Sequence, residues 1–207
     1  QQGGRNGVAV IARVPFEIVA EALPGDAEDS QARYIEVRAG GMQAAGIYLP
    51  NGNSGGVAGF AYKLGWMDRL RAVAQDRLDA FIPFAILGDF NVCPTDADLA
   101  PGALPPTDAL VRPESRARFR ALTHLGLTDA LRALHPAETL FTYWDYGAAF
   151  EINRGLRIDH VLLSPELAER LVACEVDTMP RGEARPSVPP PVIVTDPAEM
   201  AQVRGMR

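Results

Sequence analysis

Phe84-Ala85-Ile86-Leu87-Gly88-Asp89-Phe90-Asn91 begins as an apolar run suited to a buried strand and ends in a glycine, a carboxylate and a carboxamide. Side chains alternate between faces along a strand, so in extended geometry Asp89 and Asn91 point the same way. Such a strand-end pair can bind a divalent cation through hard oxygen ligands, activate a water or hydrogen-bond a phosphoryl oxygen. Asp and Asn are equally suited to an Asx-type turn that merely caps the strand. The stretch alone does not separate the two readings.

Gly7 to Arg13, Ala32 to Arg38 and Met42 to Tyr48 are rich in β-branched or alternating apolar residues and predict further strands. Leu23-Pro24-Gly25-Asp26 and Gly40-Gly41 punctuate them as turns of the kind that join antiparallel neighbours. From Val57 to Ala80, Phe60, Leu64, Met67, Leu70, Val73, Ala74 and Leu78 recur every three or four positions, which predicts the longest amphipathic helix. A shorter helix is expected from Ser115 to Leu125, with Ser115 as cap after Pro113. Another follows Ser164-Pro165, with Ser164 as cap and Pro165 at the first helical position. Leu140 to Tyr143, Arg157 to Leu163, Val172 to Thr178 and Pro191 to Thr195 supply the later strands. Interleaving without regular βαβ spacing points to an α/β sandwich of mixed or antiparallel sheets covered by helices, not to a doubly wound parallel sheet. Ala100 to Pro113 reads as a Pro-rich surface loop. Residues 1–196 are read as one domain and Pro197 to Arg207 as a frayed tail.

With 207 residues, 47% of them hydrophobic, the chain can bury one sizeable core. No apolar stretch reaches the ~18 residues of a membrane span, and no export signal opens the chain. Cys93 and Cys174 are too few and too far apart for a disulfide framework or a zinc knuckle, which fits a reducing, cytoplasmic compartment. Twenty basic residues against 26 acidic ones give a net charge of −6, which excludes broad electrostatic adhesion to nucleic acid or to an anionic membrane. Any contact with DNA must be local. All but one of the basic residues are Arg, and Lys63 is the only Lys. The opening Gln1-Gln2-Gly3-Gly4 runs at once into the Gly7 strand, as if the chain were cut inside a domain.

Four blocks stand out in order: Tyr48-Leu49-Pro50-Asn51-Gly52-Asn53, GDFNVCPTDAD from Gly88 to Asp98, Phe141-Thr142-Tyr143-Trp144-Asp145-Tyr146, and Arg154-Gly155-Leu156-Arg157-Ile158-Asp159-His160. Between them lie Gln31-Ala32-Arg33-Tyr34, Tyr62-Lys63-Leu64 with Trp66, and Gly126-Leu127-Thr128-Asp129-Ala130. Together they resemble the exodeoxyribonuclease III and AP endonuclease branch of the endonuclease/exonuclease/phosphatase superfamily over nearly the whole chain. The resemblance implies a four-layer α/β sandwich of two mixed, largely antiparallel sheets covered by helices, here lacking its first strands. It implies a monomeric DNA-repair nuclease dependent on Mg2+ or Mn2+ that hydrolyses phosphodiester bonds of duplex DNA, at abasic sites and from 3′ ends. Tyr48 would then lie near the scissile phosphate, Asp89 would handle the attacking water, and Asn91 would help hold the charged transition state. Asp89 and Asn91 would also face the metal, and Asp159 would orient a catalytic His from another loop. DNA would be contacted by Asn51, Trp144, Tyr146, Asn153, Arg154 and Arg157, the aromatics being suited to stacking or wedging. A blander reading of the aromatic loop is one folded on its own rings. His160, on the opposite face from Asp159 by strand alternation, is expected to be a satisfied packing residue.

Two departures from the family pattern weigh on activity. An upstream Trp-Asn-x-Asn-like strand and a Leu-Gln-Glu that supplies the principal metal carboxylate have no counterpart in the sequence. Where the family reads Lys-Pro-Ser-Asp-His-Ala-Pro-Val, this chain reads Arg185-Pro186-Ser187-Val188-Pro189-Pro190-Pro191-Val192. Val188 and Pro189 can neither ligate a metal nor move a proton. The chain as given is therefore expected to be inactive. A non-catalytic DNA-binding pseudoenzyme and a phosphoesterase of the same superfamily are the alternative readings.

Overall fold

The computed structural model describes residues 7–145, 147–178 and 192–195. In chain order the elements are β1 (Glu17–Ala20), β2 (Tyr34–Ala39), β3 (Met42–Tyr48), α1 (Gly56–Asp79), β4 (Phe84–Asp89), α2 (Pro113–Thr123), β5 (Thr128–Asp129), α3 (Ala130–Leu134), β6 (Tyr143–Trp144), β7 (Gly155–Leu156), β8 (Asp159–Leu163), α4 (Pro165–Ala168), β9 (Ala173–Val176) and β10 (Val192–Thr195). Six strands form one sheet in the order β1-β2-β3-β4-β8-β5, while β9 pairs with β10 and β6 with β7. Only β3 and β4 run parallel in the large sheet, because α1 carries the chain back across it; the other neighbours are antiparallel.

Alternation along the central strands sorts their side chains into two cores. Phe84, Ile86 and Leu162 join Ala45 and Ile47 beneath Trp66, Met67 and Leu70 of α1 and Phe119 and Leu122 of α2. Ala85, Val161 and Leu163 face the other way, against Leu131, Leu167, Cys174 and the β10 residues Val192 and Val194. Each large apolar side chain taken fully out of water contributes about 1.5–3 kcal/mol, so these two faces hold the sheet together. The expected second sheet is represented among the described residues by the β9–β10 ladder. Among those residues no helix is long and apolar enough to cross a membrane.

Several expected elements shift for physical reasons. Gly7 to Arg13 forms no strand, and Ile11 is 97% exposed; the edge pairing with β2 is taken instead by Glu17–Ala20. An apolar run becomes a strand only where its amides find a ladder partner. Ser115 is not a cap: Pro113 starts α2 behind Arg112, and the buried Ser115 hydroxyl donates to the Ala109 carbonyl at 2.7 Å. The five-residue α3 escapes a periodicity argument, yet Asp129 caps it by accepting from the Arg132 N–H at 3.2 Å. Of the strand expected from Leu140 to Tyr143 only Tyr143 is in a strand, the first residue of β6 (Tyr143–Trp144). The tail from Pro197 to Arg207 lies outside the described residues, as does Pro191.

Candidate active site

β3, β4 and β8 end together, and their register decides what meets there. Tyr48 stands opposite Asp89 in the parallel pair, and Asp89 opposite Asp159 in the antiparallel pair. One rung of the sheet therefore carries a phenol and two carboxylates. Gly88 permits the close approach of β4 to β3: with φ at 136°, a Cβ there would fall on the Ile47 carbonyl oxygen.

Beyond Asp89 the chain does not stay extended. Asn91 has a φ of 48°, and its backbone N–H donates to Asp89 Oδ1 at 2.7 Å. Its Nδ2 donates to Asp89 Oδ2 at 3.0 Å and to the Leu49 carbonyl at 2.9 Å. Strand alternation is thus not what aligns Asp89 with Asn91. The Asx-type turn brings them together, so the turn and the functional pairing are one feature. Asn51 adds a bond from its Nδ2 to Asn91 Oδ1 at 2.8 Å.

On β8 the Thr142 hydroxyl accepts from the Ile158 and Asp159 N–H groups at 3.1 and 3.0 Å, while Asp159 Oδ2 has no hydrogen-bond partner among the described residues. Burial raises the Asp89 carboxyl, opposed by the Asn91 N–H bond and the Lys63 and Arg33 charges. Asp159 is pushed up to about 7, first by burial and then by the facing Asp89 charge. Two carboxylates on one rung cannot both ionise freely near neutral pH. A cleft of 610 Å³ opens above them, walled by Tyr48, Asn91 and Asp108 and by Leu104, Tyr143 and Arg154.

Residues 1–196 match the Endonuclease/Exonuclease/phosphatase family. The chain belongs to that family. Exodeoxyribonuclease III of Haemophilus influenzae is 33% identical to it over 204 residues, which cover 92% of this chain and 76% of that protein. A 3′ phosphatase from Neisseria, solved with a product DNA hairpin, superimposes with a TM-score of 0.80 at 34% identity over 87% of this chain and 70% of that one. An AP endonuclease from Archaeoglobus fulgidus does so with a TM-score of 0.79 at 30% identity and the same coverage. Within the endonuclease/exonuclease/phosphatase family the chain therefore falls in the exodeoxyribonuclease III and AP endonuclease branch, a group of metal-dependent DNA-repair nucleases that hydrolyse phosphodiester bonds.

Of the residues that the family resemblance singles out, Tyr48, Asn51, Asp89, Asn91 and Arg154 line the cleft, and Asp159 joins them through its pairing with Asp89. Arg157 does not. Its side chain is 2% exposed and donates to Asp98 Oδ1 and Asp129 Oδ2, each at 2.7 Å, and to His160 Nδ1 at 2.9 Å. A guanidinium enclosed by two carboxylates is an internal strut, so its expected DNA contact is withdrawn. His160 Nδ1 must accept, which leaves Nε2–H to donate to the Val92 carbonyl at 3.0 Å and makes His160 the neutral packing residue expected.

Trp144 is corrected too. At 4% exposed it packs edge-on to Phe141 and Phe150, and its Nε1–H donates to Asn153 Oδ1 at 3.1 Å. Among the described residues Phe141, Trp144 and Phe150 pack on one another, in line with the blander reading, and Asn153 stands exposed beside them rather than in the main cleft. Arg154 is exposed and donates to the Gly102 carbonyl at 2.7 Å. Tyr146, Val188 and Pro189 lie outside the described residues.

Asp89 and Asn91 offer the hard oxygens that a small divalent cation prefers. They make only one edge of a coordination shell, since no group of three or more His, Cys, Asp or Glu suited to a metal occurs among the described residues. Sequence reasoning did not assign roles to three site residues. Arg33 donates to the Tyr48 carbonyl at 3.1 Å with its guanidinium carbon 5.0 Å from the Tyr48 ring centre. Thr142 fixes the start of β8. Lys63, at 0% exposed, lies behind Asn91. A lysine on the apolar stripe of the Val57 to Ala80 helix was the available signal for the last.

Proposed function

We propose that this fold carries a phosphodiesterase site for duplex DNA, using Mg2+ or Mn2+, directed at abasic sites and 3′ ends. The observation that carries the reading is the single rung holding Tyr48, Asp89 and Asp159, with Asn91 turned onto Asp89. The hairpin DNA held by the Neisseria relative supports the choice of substrate.

In this reading Asp89 accepts the proton of the attacking water, and Asn91 Nδ2, whose two hydrogens go to Asp89 Oδ2 and the Leu49 carbonyl, would release one of these bonds to hold developing phosphoryl charge. A donor so placed is typically worth ~10²–10³ in rate. Tyr48 sits beside the phosphorus, backed by Arg33. Asp89 and Asn91 Oδ1 would hold the cation, whose chemistry is to neutralise phosphoryl oxygens and acidify water. Asp159 positions rather than reacts; its Oδ2, without a hydrogen-bond partner among the described residues, is the acceptor a positioned donor would use. Both cysteines are free and buried, which supports a reducing compartment such as the cytoplasm.

A second reading is favoured by that same unpartnered Oδ2 together with Val188 and Pro189 at the family's Asp-His positions: DNA binding without turnover. Incubating the purified chain with an abasic-site duplex and Mg2+ tests both. Binding with cleavage at least ~10²-fold below that of the Haemophilus relative, abolished by Asp89→Ala, is the outcome expected from loss of a positioned acid-base group. Cleavage at the relative's rate would show that the chain needs neither missing part. No binding at all would sink both readings.

A further inference from the structure

The only lysine of the chain, Lys63, stands on the buried face of α1 at 0% exposed. A buried ammonium is costly unless its charge and its three N–H groups are matched. Here the three N–H groups go to main-chain carbonyls: Asn91 at 2.6 Å, Asn51 at 3.0 Å and Ala109 at 3.2 Å. Asn51 lies between β3 and α1, while Asn91 and Ala109 lie at the two ends of the long β4–α2 connection, so three separate loop segments meet on the lysine. No donor is left for a substrate.

Each carbonyl is joined in sequence to a group that faces the cleft. Asn51 Nδ2 reaches Asn91 Oδ1 at 2.8 Å, Asn53 Oδ1 accepts from the Ala109 N–H at 2.8 Å, and Asn53 Nδ2 donates to Asp108 at 3.2 Å. Gly52 lies directly on the lysine stem, where a Cβ would come within 2.6 Å of Lys63 Cδ. Besides this hub the segments are joined by side-chain amides and by two main-chain bonds, from the Leu49 N–H to the Asp89 carbonyl at 2.8 Å and from the Cys93 N–H to the Leu110 carbonyl at 2.9 Å; only the lysine reaches all three at once.

We infer that Lys63 is a positioning residue of the cleft: its ammonium fixes three loops to one another and so holds Asn51 and Asn91 in place against Asp89. Its charge also lies under a cleft bordered by Asp89, Asp108 and Asp145. The functional meaning rests on the nuclease reading above, but the positioning itself does not.

Hydrogen exchange read by mass spectrometry on the 207-residue chain tests it, with Lys63→Met compared against Arg77→Met. Arg77 lies toward the other end of α1 and pairs with the buried Glu36 at 2.8 Å, so its loss supplies a destabilised control. Lys63→Met is expected to speed exchange at least tenfold in residues 49–55, 90–95 and 105–112 beyond its change in global stability, whereas Arg77→Met leaves these loops at the global level. Acceleration spread evenly over the chain, or confined to one loop, overturns the inference. Should Lys63→Met fail to fold, Gly52→Ala crowds the lysine stem without touching its charge; loosening of all three loops supports the hub, and loosening of residues 49–55 alone overturns it. This readout needs neither metal nor cleavage, so its failure is separate from failure of the abasic-duplex assay.

Discussion

Asp159 faces Asp89 across the β4–β8 ladder with one oxygen unpartnered among the described residues, so its charged form is the costly one. Because its carboxyl is raised to about 7, the folded chain holds a proton between pH ~4 and ~7 that the unfolded chain has released. Stability therefore falls as pH rises through that window, and the cost is complete above it. Asp159→Asn removes the charge and places an amide donor beside Asp89. Calorimetry should show Tm rising by roughly 3–6 °C at pH 8 and hardly at all at pH 4; an equal shift at both pH values would rule out titration as the cause. Asp89 and Asn91 were legible in the sequence because their chemistry is local and their spacing short. The turn that joins them was visible only as a competing reading, since a φ of 48° at Asn91 is a backbone fact that residue type permits but does not dictate. Lys63 was harder still: its partners are 12, 28 and 46 residues away, and carbonyl acceptors have no side-chain signature.

The parallel contact of β3 with β4 is the most exacting element contact near the site. Gly88→Ala would drive a methyl into the Ile47 carbonyl at a φ of 136°, and urea unfolding should record a loss of several kcal/mol or no cooperative transition. Wild-type stability in that variant would mean that the strands can separate at this point without penalty. β8 is anchored differently, through the buried guanidinium of Arg157. Arg157→Leu leaves Asp129 without its guanidinium and Asp98 with Arg132 alone, and a cost of about 3–5 kcal/mol is expected. DNA affinity of the folded protein at low temperature should keep its salt dependence, because the side chain never reaches the surface; a slope reduced by about one unit would restore Arg157 as a phosphate contact. Burial works against the Asp98 carboxylate, but the Arg157 bond and charge hold it below the usual range, so this share of stability is present above pH ~4 and is lost as pH falls further. The central strands β2, β3, β4 and β8 and the long helix followed from the residue pattern. Arg157 did not, because alternation tells which face a residue takes and not whether that face meets solvent or two carboxylates.

At the scale of the molecule a net charge of −6 sets the terms for DNA. Arg154 borders the cleft and Arg33 backs Tyr48, so only a few phosphates can be neutralised. The logarithm of affinity should then fall with the logarithm of salt at a slope of about −2 to −3. A slope steeper than about −6, measured by fluorescence anisotropy on an abasic duplex, would show a wider basic footprint than the described residues around the cleft offer. The mixed sheet and its helical cover were legible from pattern and resemblance together, whereas the edge strand Glu17–Ala20 was not, since only its pairing with β2 distinguishes it from the more apolar Gly7 to Arg13. The shared rung of Tyr48, Asp89 and Asp159 has one more consequence. Neighbouring strands lie about 4.8 Å apart, so the distances among these groups are graduated by the sheet itself, like marks on a ruler. Loops around the cleft can lengthen, shorten or change residues, and so alter what is admitted, while the marks keep their spacing. A slip of β4 by a single residue, by contrast, would turn Asp89 to the far face and erase the centre at one stroke.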